Sequence, residues 1–347
     1  MQKNNNTIFL VTGGTGGHFF PALAVAQKDK EHKHIFIVDN RVKRNFEKLN
    51  YNYFIVSSSK IELNFLKIPI FLFKILKGFL KSVYLIFKFK PSLIVGFGGY
   101  TSIPTVLAGK FLNVKILIHE QNALMGRTNR ILSNLSYKTA ISFKQTKFAK
   151  KDSILTEIPI RHFKKKKVIN IKKRILVCGG SQGAQIFSKI IPKILSNLSP
   201  KVKRKIIIIQ QVRTEDKSNL SLLYKSMKID FILKSFFDDF QNQIYNSDII
   251  FARCGASTLA EIEYCKKSAF LFPLPSSLDN HQYLNALEYK KNNECEIFDE
   301  RNINYSEISK KLFNKIKKLK KNKSKNSREK KISLNKVIND IIEESHV

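Results

Sequence analysis

The apolar pattern of the chain opens with a short unbroken run, Ile8-Phe9-Leu10-Val11, that stops at glycines. A run of that length bounded by turn residues predicts a strand buried on both faces. The helix-compatible stretch Pro21 to Gln27 completes strand, glycine turn and helix, the opening of a βαβ unit. Similar strand runs follow at Ile35 to Val38, Pro91 to Val95 and Val114 to Ile118. The last two end in Gly96-Phe97-Gly98-Gly99-Tyr100 and His119-Glu120-Gln121-Asn122. In an open parallel sheet such strand ends face the ligand site.

The plan restarts at Arg174 to Cys178, followed by Gly179-Gly180-Ser181-Gln182-Gly183-Ala184. Lys205 to Gln210 and Ser247 to Ala252 predict further strands, and Phe270-Leu271-Phe272-Pro273 predicts a short strand leaving the core. The polar break Lys164-Lys165-Lys166-Lys167 puts the domain crossing between Pro159 and Lys173. The expected division is residues 1–160 and 171–331. Ile332 to Ile342 regains the spacing of an amphipathic helix, which can pack on either domain.

Ile61 to Lys90 is apolar but interrupted by lysines, with Lys67, Lys74, Lys81 and Lys88 seven apart and Lys77 near the same face. No uncharged segment here is long enough to cross a bilayer. Two readings stand: core-packed helices with lysines facing water, or a basic amphipathic surface resting on anionic lipid. Lys315 to Lys331 is strongly basic and reads as a solvated helix face, linker or insertion.

The 347 residues carry 62 Lys and Arg against 27 Asp and Glu, a formal charge of +35. That charge suits nucleic acid, an anionic membrane or an anionic substrate, and equally a Lys-rich compositional bias. Four scattered cysteines without a CxxC pair indicate a reduced, cytosolic chain. With the polar Met1 to Asn6 running into a buried strand, no secretion signal is expected.

Gly13-Gly14-Thr15-Gly16-Gly17 can bring backbone amides close to an anion, or simply make a turn. It matches neither the Walker nor the dinucleotide pattern. His18 closes it and can offer a base to a substrate hydroxyl. Gly179-Gly180-Ser181-Gln182-Gly183 is a second anion cradle, with a helix N-terminus behind it. Glu261, in Arg253-Cys254-Gly255-Ala256-Ser257-Thr258-Leu259-Ala260-Glu261, can accept two ribose hydroxyls or be an ordinary surface acid. Gln282 and Asn285, three apart on one helix face, suit sugar hydroxyls, and such amides are equally common in helix starts and loops. His281 lacks spaced Cys or His companions, so no metal site is expected.

In order and spacing these segments resemble the MurG family of bacterial peptidoglycan N-acetylglucosamine transferases. The matching residues are Thr12 to Pro21, Gly96 to Pro104, His119 to Asn122, Gly126-Arg127-Thr128-Asn129, Gly179 to Ala184, Arg253 to Glu261 and His281 to Ala286. The resemblance implies an α/β GT-B glycosyltransferase fold, two Rossmann-like domains separated by a cleft, with the helix at 332–347 joining the N-terminal domain. It implies an inverting transfer of N-acetylglucosamine from UDP-N-acetylglucosamine to the C4 hydroxyl of the muramyl sugar of lipid I, giving lipid II, with no cofactor. His18 would be the general base. Gly14, Gly17, Gly98, Gly99, Tyr100 and Glu120 would serve the acceptor. Thr15, Gly16, Asn122, Arg161, Ser181, Gln182, Gly183, Phe237, Glu261, Gln282 and Asn285 would serve the donor.

The implied partners are UDP-N-acetylglucosamine, lipid I, the anionic cytoplasmic face of the inner membrane, where the protein would be peripheral, and other cell-wall synthesis proteins. Nucleic acid is not among them. Two departures stand out: Thr156-Glu157-Ile158-Pro159 replaces the Gly-Asn-Pro before the hinge arginine, and Cys254 replaces a serine. The competing readings are another GT-B transferase using a UDP-sugar, such as a glycolipid synthase, and a non-catalytic basic protein binding RNA or phospholipid.

Overall fold

The computed structural model describes residues 7–14, 16–42, 46, 49–59, 68–169, 171–180, 185–318 and 331–344. It forms two compact units, Met1–His162 with Lys330–Val347, and Phe163–Glu329.

The first unit runs β1 (Thr7–Val11), α1 (Gly16–Lys28), β2 (Lys33–Val38), β3 (Asn52–Ile55), α2 (Ile68–Phe89), β4 (Leu93–Gly96), α3 (Ser102–Phe111), β5 (Lys115–Glu120), α4 (Arg127–Leu132), β6 (Lys138–Ile141) and β7 (Ile154–Leu155). Its seven strands are parallel, in the order β3-β2-β1-β4-β5-β6-β7. The order reverses between β1 and β4, whose C-terminal ends Val11 and Gly96 are register partners. Ligands of open α/β sheets bind beyond the strand ends at such a reversal. The unbroken apolar run of β1 follows from burial on both faces. Ile8 and Leu10 face one core cluster with Phe19 and Val25, whereas Phe9 and Val11 face the other with Leu85, Ile86 and Val106.

The second unit repeats the plan. It contains β8 (Lys173–Cys178), α5 (Gln185–Ser196), β9 (Ile206–Gln211), α6 (Lys217–Ser226), β10 (Asp230–Lys234), α7 (Phe240–Asn246), β11 (Ile249–Ala252), α8 (Ala256–Tyr264), β12 (Ser268–Leu271), α9 (His281–Asn292), β13 (Cys295–Ile297) and α10 (Tyr305–Lys318). The six strands are parallel in the order β10-β9-β8-β11-β12-β13, reversing between β8 and β11. The strand at Phe270 does not leave the core. β12 lies between β11 and β13, and Phe270, Leu271 and Phe272 are buried. The three-residue β13 covers what would otherwise be the sheet edge, and Cys295-Glu296-Ile297 is too short and mixed to read as a strand in sequence.

The closing helix α11 (Leu334–Glu343) packs in the first unit, where Leu334, Val337, Ile338, Ile341 and Ile342 complete the core cluster of β1 and α1. Asn335 Nδ2 donates to Val25 O at 3.1 Å, and Ile332 bridges Thr156 just ahead of the helix.

Helix α2 corrects the expectation of a core helix with only lysines facing water. It buries Gly78, Ser82, Leu85 and Ile86, while Phe73, Leu76, Leu80, Tyr84 and Phe87 are exposed together with Lys74, Lys77, Lys81 and Lys88. The buried face is set by close approach: a Cβ on Gly78 would collide with Ser57 O and Pro104, and Ser82 Oγ lies 3.0 Å from Thr105 Oγ1 of α3. Among the described residues no helix is long and apolar enough to cross a membrane. Lys67, and the basic stretch from 319 to 330, lie outside the described residues.

Candidate active site

In the first unit, Thr12-Gly13-Gly14 leaves β1 and Phe97-Gly98-Gly99-Tyr100 leaves β4 at the strand-order reversal. Gly14, Gly98 and Gly99 have φ of +77°, +99° and +76°. That backbone region disfavours any side chain. Space demands glycine as well, since a Cβ on Gly98 would stand 3.2 Å from His18 Cε1. His18 occupies the first turn of α1, which starts at Gly16 with exposed Gly17 next. Its half-buried ring lies against Gly98 and Gly99 and reaches Gln121 at the end of β5, with Nδ1 3.3 Å from Gln121 Oε1. Gly14, Gly16, Gly17, His18, Gly98, Gly99 and Tyr100 are therefore gathered at one end of the sheet.

Glu120, expected to serve the acceptor, is bonded within its own unit. It is 1% exposed, and its carboxylate accepts from Asn122 N and Asn122 Nδ2 at 2.9 Å each, Gly126 N at 2.9 Å and Asn129 Nδ2 at 2.8 Å. Those four donors occupy the carboxylate and tie the turn from Asn122 to Gly126 to the start of α4. Asn122 is half-buried beside it. Next to Gln121, His119 is wholly buried, and burial, helped by the charge of His18, pushes its imidazole down to about 3.

The motif reading missed Asp39 and Arg41. Parallel pairing of β1 with β2 brings the residues after β2 beside the first glycine loop. Asp39 Oδ2 accepts from Thr101 Oγ1 at 2.7 Å and from Arg41 Nε at 3.0 Å. Burial raises the Asp39 carboxyl, but the guanidinium and hydroxyl outweigh it and hold it below the usual range. So braced, the Arg41 guanidinium lies 4.5 Å over the Tyr100 ring, and a Cβ on Gly14 would collide with it. The available signal was a polar triplet, Asp39-Asn40-Arg41, directly after a strand. Arg161 stacks its guanidinium 4.0 Å over Phe20 of α1.

In the second unit, Gly179-Gly180 follows β8, and Gly180 has φ +83°. Arg253-Cys254-Gly255 follows β11 at the reversal, and α9 holds that turn. Gln282 Oε1 accepts from Cys254 N and Leu274 N at 3.1 Å each, and Asn285 Nδ2 donates to Cys254 O at 3.1 Å. Both backbone groups of Cys254 are thus used, and burial pushes its thiol up, so the exchange of serine for cysteine leaves the turn intact. Asn285 is wholly buried, a fastener of the turn, whereas Gln282 is half-exposed.

Arg253 donates to Phe272 O at 3.1 Å and pairs with Glu300 at 2.5 Å. Glu261 is not a surface acid. It is 6% exposed and accepts from Gln241 Nε2 at 2.7 Å. Phe237, after β10, is buried in the same core cluster as Cys254 and Leu259. Thr15, Ser181, Gln182 and Gly183 lie outside the described residues.

Comparison with known proteins places the chain in a family and a fold. The glycosyltransferase family 28 N-terminal domain matches residues 8–141 and its C-terminal domain matches residues 174–344. The UDP-N-acetylglucosamine--N-acetylmuramyl-(pentapeptide) pyrophosphoryl-undecaprenol N-acetylglucosamine transferase of Rickettsia bellii is 36% identical over 97% of this chain and 99% of its own. The protein of that name from a Wolbachia of Drosophila simulans is 37% identical over 80% of this chain and 81% of its own. Among solved structures, Acinetobacter baumannii MurG superposes with a TM-score of 0.73 at 23% identity, over 98% of this chain and 99% of that one. The two parallel α/β units are those of the GT-B fold.

Proposed function

This chain belongs to glycosyltransferase family 28, within the MurG family that transfers N-acetylglucosamine from its UDP donor, and we propose that its acceptor is lipid I, giving lipid II. The observation that supports the reading is the place of one histidine. His18 stands at the sheet reversal of the first unit, its ring against Gly98 and Gly99. Inversion at the anomeric carbon takes one displacement, so the 4-hydroxyl of the muramyl sugar must lose its proton as it attacks, and His18 takes it. The diphosphate of the acceptor lies along Gly14 to Gly17 and Gly98 to Tyr100, with the braced guanidinium of Arg41 as counter-charge.

On the donor side, the loop after β8 with Ser181, Gln182 and Gly183 holds the UDP diphosphate, and amides at the α5 N-terminus stabilise the charge that grows on it as it leaves. Glu261 accepts the ribose hydroxyls, Phe237 marks the backbone that holds uracil, and Gln282 reaches the sugar from the turn it fastens. Asn122 and Thr15 reach the donor sugar or the acceptor, and Arg161 completes the donor set. Glu261→Ala is expected to raise the KM for UDP-N-acetylglucosamine about tenfold or more, the worth of hydrogen bonds to a charged group. An unchanged donor KM would remove Glu261 from the ribose.

The outward stripe of α2, apolar and lysine-rich together, rests on the anionic cytoplasmic face of the membrane that holds the acceptor. The double change Leu80→Glu with Phe87→Glu should abolish sedimentation with anionic phospholipid vesicles and leave transfer to a detergent-soluble acceptor intact. Retained vesicle binding would refute this role. The transfer itself is tested with labelled UDP-N-acetylglucosamine and lipid I beside a panel of other lipid-linked sugars. A preference for a different acceptor would point to another glycolipid synthase.

A further inference from the structure

We propose that Gln121 is a positioning residue that selects the tautomer of His18, keeping the proton on Nδ1 and leaving Nε2 bare for the acceptor hydroxyl. The inference deepens the reading of His18 as the base and rests on it. Gln121 is 1% exposed, and three acceptors surround its amide nitrogen: Phe97 O at 3.2 Å, His119 Nδ1 at 3.0 Å and His119 O at 3.1 Å. Turning the amide over would set its oxygen against two carbonyl oxygens, neither of which can donate. The nitrogen therefore faces inward, and Oε1 faces His18 Nδ1 at 3.3 Å. An amide oxygen only accepts, so Nδ1 carries the hydrogen, and in a neutral imidazole the other nitrogen is then the acceptor.

The chain continues behind Gln121. His119 Nδ1 accepts from the amide, so its proton sits on Nε2, which lies 3.1 Å from Ser142 Oγ and donates to it. His119 stays neutral in its buried place, so it does not reverse the direction of the chain. His119 lies in β5, and Phe97 and Ser142 directly follow the adjacent β4 and β6, where Phe97 N donates to Val11 O at 3.0 Å and Ser142 N to Glu120 O at 3.1 Å, so the relay is tied to the end of the sheet. An anchored partner on the far nitrogen is what gives a catalytic histidine both its orientation and its tautomer. It also explains a glutamine at this position: an acid would meet the Phe97 and His119 carbonyl oxygens with no donor for both.

The test is 15N NMR of the full-length protein labelled at histidine nitrogens, with the His18 signals assigned by their loss in His18→Ala. The wild-type ring should show protonated Nδ1 and bare Nε2, and a protonated Nε2 would overturn the proposal. Gln121→Met should mix the two tautomers and lower kcat about tenfold, less than the ~10⁴-fold seen when a wrong tautomer is enforced, with the KM for UDP-N-acetylglucosamine unchanged. A Gln121→Met protein with wild-type kcat, or with an unaltered His18 spectrum, would refute the role. Full turnover by His18→Ala would instead remove the base reading, and the wild-type spectrum would still decide the tautomer.

Discussion

Replacing His18 by Ala should lower turnover by about 10²- to 10⁴-fold, the usual worth of a positioned general base, while binding of UDP-N-acetylglucosamine is kept. The ring belongs to the first unit and lies at the end of its sheet against Gly98 and Gly99. The substitution removes the proposed proton acceptor and leaves the donor residues proposed in the second unit, among them Glu261 and Gln282, as they are. Single-turnover transfer to lipid I and calorimetric titration with UDP-N-acetylglucosamine separate the two effects. Unchanged turnover would take His18 out of the base role. Lost donor binding would mean that the residue holds the nucleotide sugar instead.

The second large effect concerns stability. Glu120→Ala should lower the thermal midpoint of the first unit by roughly 10 °C, because several kcal/mol are lost and each is worth about 2–4 °C in a unit of this size. The carboxylate is buried and accepts from Asn122 N, Asn122 Nδ2, Gly126 N and Asn129 Nδ2. Removing it strands one buried and three part-buried donor groups, and a buried one costs about 1–3 kcal/mol when left unpaired. The same change loosens the turn next to Gln121, so transfer should fall as well. Differential scanning calorimetry checks the first point, and a shift of less than about 2 °C would return Glu120 to the role of a ligand contact.

Legibility of the fold followed burial. The central strands β1, β4, β5, β8 and β11 are covered on both faces and read as unbroken apolar runs. At the edges, β3 and β7 have half-exposed residues and mixed composition, and neither stood out from loop. The period of lysines in α2 was visible, but the side it turned outward was not. The apolar residues between the lysines fit a buried or an exposed face equally, and the collision that Gly78 avoids is with residues of other segments.

What the amino-acid sequence determined by itself is the alternation of strand, glycine turn and helix, and the identity of the residues at the strand ends. Both are local, since apolar runs and glycine turns are set by near neighbours. Only the tertiary structure decided what those residues do. His18 and Gln121 are 103 residues apart in the chain, and Arg41 meets Gly14 and Tyr100 only because three strands lie side by side. Glu120 and Asn285 are polar residues in ligand-like motifs, and the fold gives Glu120 the Gly126 amide and Asn285 the Cys254 carbonyl as partners. A buried polar group must find its partner wherever the chain brings one, and that choice is made by the packed sheet rather than by the order of the residues.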